Sequence, residues 1–202
     1  MTEIRGMTEY KEFVAYQHDN FCDPFRKFLP EINPKRIIEV GTTDGGVVAA
    51  VQDIMKTFTN DFVIRTYDIV PSRFAKNLKD RGIDARVENL FTPDYKNWNP
   101  EKIDELREFV NQEGTTLVLC DGGDKVNEVR LFSDIIKKND FIMCHDYAES
   151  VQYFDIHLRD KIWNWMNING SEIQESIEKH KLVPYMKDEF QAVVWGCFQK
   201  LA

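Results

Sequence analysis

Five runs of β-forming residues each lead straight into a residue able to bind a ligand or move a proton. RIIEV at 36–40 carries Glu39 and opens into GTTDGG, which holds Gly41, Thr42, Gly45 and Gly46. FVIRTYD at 62–68 ends on Asp68, IDARV at 83–87 is followed by Glu88 and Asn89, TTLVLCD at 115–121 ends on Asp121, and DFIMCHD at 140–146 ends on His145 and Asp146. Glycines after a strand let the chain turn sharply and leave backbone N–H groups open to a ligand at the start of the next helix. Asp68, 27 residues beyond Gly41, stands where an acidic side chain accepts both hydroxyls of a nucleoside ribose, and its charge disfavours a 2′-phosphate. A dinucleotide fingerprint GxGxxG needs glycine at the position held by Thr43. His145, of a residue type that titrates at about pH 6.5, is a candidate general base toward a hydroxyl. The blander reading of His145 and Asp146 is a loop in which Asp146 caps a helix starting near 148.

These residues need a scaffold that brings strand ends together. Between the five runs lie amphipathic stretches at 45–57, 72–80, 100–113 and 125–138, the last with Val126, Val129, Phe132, Ile135 and Ile136 at helical spacing. The alternation predicts an α/β, doubly wound, mostly parallel sheet with helices on both faces, and ligands in such sheets sit outside the carboxyl ends of the strands. Pro71 and Pro100 are expected at helix starts. Residues 8–29 read as a helix across the sheet edge, within an N-terminal helical extension of about 1–30. Residues 147–180 read as a largely helical segment whose aromatics at 147, 153, 154, 163 and 165 either line an acceptor pocket or fill core. LVPYM and QAVVWGCFQK, with no convincing helix between them, read as a closing antiparallel pair. The expectation is one domain over 1–202.

Composition removes several classes of function. With 43% hydrophobic residues, 14 Phe, 7 Tyr and 4 Trp, the chain is far from the disordered regime. Its 26 basic and 34 acidic residues give a net charge of -8, which repels phosphate backbones and anionic lipid, so neither nucleic acid nor membrane is an expected partner. Cysteines at 22, 120, 144 and 197 form no CxxC pair and suit buried thiols in a reduced compartment. The start MTEIRGMTEYKEF lacks a signal-peptide apolar stretch, and the expected location is cytoplasmic. Oligomeric state is open, a homo-oligomer included.

The run IIEVGTTDGG, with Glu39 two residues before Gly41 and a Gly-Gly pair after three more, resembles the first motif of class I S-adenosylmethionine-dependent methyltransferases. CDGGDKVNEVRLFSDIIKKNDFIMCHDY is similar to the DGxH, helix, KxGDxxxxHDY stretch of small-molecule O-methyltransferases, including the cephalosporin-hydroxylase-type and macrolide-sugar groups. The closing WNWMNINGSEIQESIEKHKLVPYMKDEFQAVVWGCFQK resembles the tail of that group, so the likeness runs from about residue 20 to the end. One departure stands out: Asp124 replaces the histidine of DGxH. The resemblance implies a Rossmann-like methyltransferase fold and S-adenosylmethionine as cofactor. Glu39 would support the methionine amino group or the loop, and the backbone from Gly41 through Thr42 to Gly45 and Gly46 would line methionine and ribose. Asp68 would take the ribose, Asn89 or Glu88 the adenine edge, and Asp121 would lie beside the reacting methyl. Relatives of this kind place a divalent cation at the positions of Asp121, His145 and Asp146; imidazole there shifts preference from magnesium toward manganese, iron or zinc, or toward no metal at all. The implied reaction is O-methylation of a small hydroxylated molecule or sugar. Two alternatives stand beside it: an NAD-dependent oxidoreductase on a Rossmann-like sheet, and a catalytically inactive cofactor-binding scaffold, which Asp124 keeps open.

Overall fold

The computed structural model describes residues 8–202 and begins with a hairpin, β1 (Thr8–Tyr10) and β2 (Phe13–Ala15), paired antiparallel around a turn in which Lys11 takes a φ of 54°. The single helix expected over 8–29 is therefore corrected, and the part of the expected extension at 1–7 lies outside the described residues. Phe13 and Ala15 are buried and Val14 between them is less so, a period of two that belongs to a strand. Helical spacing begins only at Phe21, Phe25, Phe28 and Leu29, and there α1 (Cys22–Ile32) forms.

The central sheet follows. β3 (Arg36–Val40) leads to α2 (Gly46–Lys56), β4 (Val63–Asp68) to α3 (Ala75–Asp80), β5 (Asp84–Val87) to α4 (Ile103–Asn111), and β6 (Thr116–Cys120) to α5 (Lys125–Ile135), before β7 (Phe141–His145). β3, β6 and β7 are buried along their whole length, as strands covered by helices on both faces must be. Pro71 and Pro100 lie in the loops ahead of α3 and α4 rather than in their first turns.

Beyond β7 the expected helical segment is largely replaced. β8 (Tyr147–Ala148) pairs with β9 (Ile168–Asn169), and between them a turn of helix, α6 (Val151–Tyr153), widens into a π-helical turn at Phe154–Leu158. α7 (Gln174–His180) precedes β10 (Leu182–Pro184), and a short helix, α8 (Lys187–Gln191), separates β10 from β11 (Trp195–Lys200). The closing strands are antiparallel, as expected, but a helix joins them; five residues are too few for an apolar period to announce it. The sheet order is β10-β11-β7-β6-β3-β4-β5, parallel from β7 to β5, with β11 antiparallel to β7.

One core lies under α1 and α2, where Phe25, Phe28, Phe190 and Trp195 meet edge to face; a second lies under α4 and α5, around Phe132 and Trp98; a smaller cluster gathers Phe154, Leu158 and Trp163. Burying each large aromatic stabilises the fold by about 2–3 kcal/mol. Because the order reverses between β3 and β6, the crevice at their carboxyl ends faces the ligand side of the sheet.

Candidate functional site

The turn after β3 is shaped by contacts that only glycine permits. Gly41 has a φ of +94°, and a Cβ there would lie 2.3 Å from the Asp121 carbonyl oxygen, so the β3 and β6 loops touch at this point. Gly46 serves a different purpose from the one its motif suggests. A Cβ on it would sit 2.5 Å from the backbone of Val14 and Ala15, which means the hairpin is seated on the start of α2. Gly45 bridges to Val14, and neither Gly45 nor Gly46 lines either of the two cavities that open on this turn. Thr43 donates its N–H to Asp68 Oδ2 at 2.8 Å, and Val70 donates to Oδ1 at 3.1 Å, so the Asp68 carboxylate is fixed by backbone groups. Glu39 is buried behind the turn and accepts from the Thr66 hydroxyl, which stands 2.6 Å from the Thr42 hydroxyl. Burial pushes the Glu39 carboxyl well above the usual carboxylate range despite the Thr66 bond.

Two cavities open on this turn and share Gly41, Thr43 and Asp121. The first, about 270 Å³, is bounded by Asp68, Glu88, Asn89, Phe91 and Tyr95. Asn89 Oδ1 accepts from the Phe91 N–H at 3.0 Å, and Phe91 lies tilted at 34° against Tyr95 and 30° against Trp98. The second, about 290 Å³, is bounded by Tyr16 and Gln17 of the N-terminal segment, by Lys125, and by His145, Trp163 and Trp165. Of the aromatics in question, Trp163 and Trp165 line this cavity, whereas Tyr147 and Phe154 fill core and Tyr153 packs beside Phe154.

A buried polar network floors the second cavity. His145 is 2% exposed, and its Nδ1 lies 3.0 Å from Asp121 Oδ1. Gln17 donates through Nε2 to Asp121 Oδ2 at 2.8 Å and accepts through Oε1 from the Trp195 indole at 2.7 Å. Asp146, at a φ of 55°, accepts from Trp163 Nε1 at 2.7 Å and from Asn167 Nδ2 at 3.0 Å. Lys125 Nζ lies 3.5 Å from Asp121 and 3.3 Å from Asp146. Burial alone would raise the Asp121 pKa, but His145 and Lys125 outweigh it and hold the carboxyl below the ordinary range. His145 Nε2 is buried and has no hydrogen-bond partner among the described residues.

The structure thus brings Asp121, His145 and Asp146 together, with ligand atoms within 4.8 Å of one another, and places Asp68 and Asn89 across the shared turn. Asp146 is not a helix cap: Ser150 caps the next turn, accepting from the Tyr153 N–H at 3.1 Å. Asp124 caps α5 through the Asn127 N–H at 3.1 Å, so the residue that departs from the DGxH motif has a structural task. Gln17, Lys125 and Trp195 were not anticipated. Lys125 left a trace, since a cation in the first turn of a helix opposes the helix dipole and needs a carboxylate partner; Gln17, 104 residues from Asp121, left none.

The trio offers oxygen and nitrogen donors of the kinds that hold a divalent cation. Each is already engaged, however: Asp121 by His145 and Gln17, Asp146 by Trp163 and Asn167, and both by the Lys125 ammonium. Lys125 stands between the two carboxylates, so a cation entering there would meet its ammonium, while His145 Nε2 has no partner among the described residues.

No protein-family model and no curated protein matches the chain by sequence. Solved structures do match. The apo-structure of CmcI is 13% identical, covering 96% of this chain and 76% of its own, with a TM-score of 0.64. A CmcI structure with Mg and SAM is likewise 13% identical over 96% and 76%, with a TM-score of 0.61. The SAH-bound Podospora anserina methyltransferase PaMTH1 is 16% identical, over 90% and 78%, with a TM-score of 0.53. The strand order, the glycine turn and these likenesses agree on one architecture: the chain has the Rossmann-like fold of the class I S-adenosylmethionine-dependent methyltransferases.

Proposed function

We propose that this protein is an S-adenosylmethionine-dependent methyltransferase that acts on a hydroxyl of a small molecule. The observation that carries the reading is the pair of joined cavities at the strand ends, one floored by a ribose-ready Asp68 and the other by the Asp121–His145 network. Solved neighbours with SAM or SAH bound support it; none of those cited is an oxidoreductase, and Thr43 breaks the dinucleotide motif.

S-adenosylmethionine supplies a sulfonium methyl for in-line displacement. On the chain's side, Asp68 would accept the ribose hydroxyls, Asn89 or Glu88 would face the adenine, and the backbone of Gly41, Thr42 and Thr43 would line the methionine end. Glu39, through Thr66 and Thr42, braces that turn. Trp163, Trp165 and Tyr16 hold a neutral or polar hydroxylated acceptor, a small molecule or sugar suited to a protein of net negative charge. Donation from His145 Nδ1–H to Asp121 would leave the lone pair on the buried Nε2, which would take the acceptor's proton once the acceptor is seated against it, as the methyl passes from sulfur to oxygen and S-adenosylhomocysteine is left.

Calorimetric titration with S-adenosylmethionine and, separately, with NAD tests the reading. S-adenosylmethionine should bind, and Asp68→Ala should weaken it by about 1.5–3 kcal/mol through loss of charge-assisted ribose bonds. Preference for NAD, or an Asp68→Ala variant that binds as well as the wild type, would overturn it.

A further inference from the structure

Lys125 takes no part in the mechanism above, yet it is only 6% exposed and stands in the middle of the site. It opens α5, one turn beyond Asp121, where the helix dipole disfavours a positive charge, and burying an ammonium is costly unless it is paired. Its partners repay that cost: Asp121 Oδ1 at 3.5 Å, Asp146 Oδ2 at 3.3 Å and the Gly122 carbonyl, to which it donates at 3.1 Å. The two carboxylates belong to the same trio whose donor atoms lie within 4.8 Å of one another. The carboxylate oxygens of the cluster are turned to protein partners and His145 directs Nδ1 into a bond with Asp121, which leaves Nε2 as its one nitrogen without a partner among the described residues.

We propose that Lys125 is the site's built-in cation: its ammonium holds the place between Asp121 and Asp146 that a divalent ion would take, so the site runs without a metal. The assignment of this cation to catalysis rests on the methyltransferase reading, whereas the exclusion of metal rests on the side chains alone. A divalent ion entering with Lys125 in place would meet a like charge at contact distance. Removing the ammonium leaves two facing carboxylates uncompensated, and that pair is a cation site.

The test is a manganese titration of the chelator-treated full chain, followed by calorimetry and by the electron-paramagnetic-resonance signal of free Mn²⁺. Wild type should show no saturable binding below millimolar Mn²⁺, and Lys125→Met should bind at least about tenfold tighter, with the gain lost when Asp146→Asn is added. Micromolar binding by the wild type, or no gain in Lys125→Met, would overturn the proposal. Should Lys125→Met fail to fold alone, refolding it in millimolar Mn²⁺ should restore its melting transition, and absence of rescue counts against the proposal. Titrating S-adenosylhomocysteine into the same samples keeps the two readings apart. Chelator-insensitive binding by the wild type supports both, and loss of that binding with unchanged manganese behaviour removes only the methyltransferase reading.

Discussion

Replacing Gln17 tests how the N-terminal segment governs the chemistry. Its side chain is fully buried and joins Asp121 Oδ2 to the Trp195 indole at 2.8 and 2.7 Å. In Gln17→Ala the Trp195 N–H is left as a buried donor without a partner, at a cost of about 1–3 kcal/mol, and Asp121 loses a charge-assisted bond worth about 1.5–3 kcal/mol. Water entering the vacated space recovers part, so the expected loss is about 3 kcal/mol, or roughly 6–12 °C in melting temperature for a chain of this size. Circular dichroism melts measure it. Because Asp121 orients His145, turnover should also fall by roughly tenfold to a hundredfold. Gln17→Glu keeps the volume but places a carboxylate against Asp121, and should be the less stable of the two at neutral pH. A loss below about 1 kcal/mol in Gln17→Ala would refute the network's structural importance.

Burial pushes the Glu128 carboxyl up to about 7, against the pull of the N–H bonds from Gly122 and Asp124 and of Lys125. A folded-state pKa above the unfolded one means stability is fully present below about pH 4.5 and is lost as pH rises toward 7, by on the order of 3 kcal/mol. Glu128→Gln should flatten that decline, and denaturant midpoints at several pH values for both proteins will show whether it does. Gly46→Ala drives a methyl into the Val14–Ala15 backbone and should cost about 1–3 kcal/mol; protease nicking within 8–20 should accelerate, and unchanged protection would contradict the seating of the hairpin. Asp124→Ala should cost about 1 kcal/mol by uncapping α5 while leaving cofactor affinity intact, which a melt and a titration together decide.

What was legible in the sequence follows from how local each signal is. All five parallel strands stand within the runs that predict them, and β6 and β7 read most plainly because strands buried on both faces are near-continuous apolar segments. The rule that ligands gather at strand ends then drew Asp68, Asn89, Asp121, His145 and Asp146 to one edge, and the structure places them around one turn. The hairpin at 8–15 escaped because three-residue strands are too short to outvote a helical pattern that begins at Phe21. Gly46 is misread by its motif alone, since its neighbour, the Val14–Ala15 backbone, lies 31 residues upstream. Gln17 acts through a contact that no local pattern encodes. Lys125 carried a weak signal, its charge at the wrong end of a helix, legible only once Asp121 and Asp146 are known to face it.

The most direct check of the central claim is a crystal structure grown with S-adenosylhomocysteine. The account requires the adenosine in the cavity bounded by Asp68, Asn89 and Tyr95, both ribose hydroxyls on the Asp68 carboxylate, and the sulfur at the shared turn with His145 Nε2 facing it across the second cavity. Density for the ligand elsewhere on the surface, or a sulfur turned away from His145 and Asp121, would contradict it.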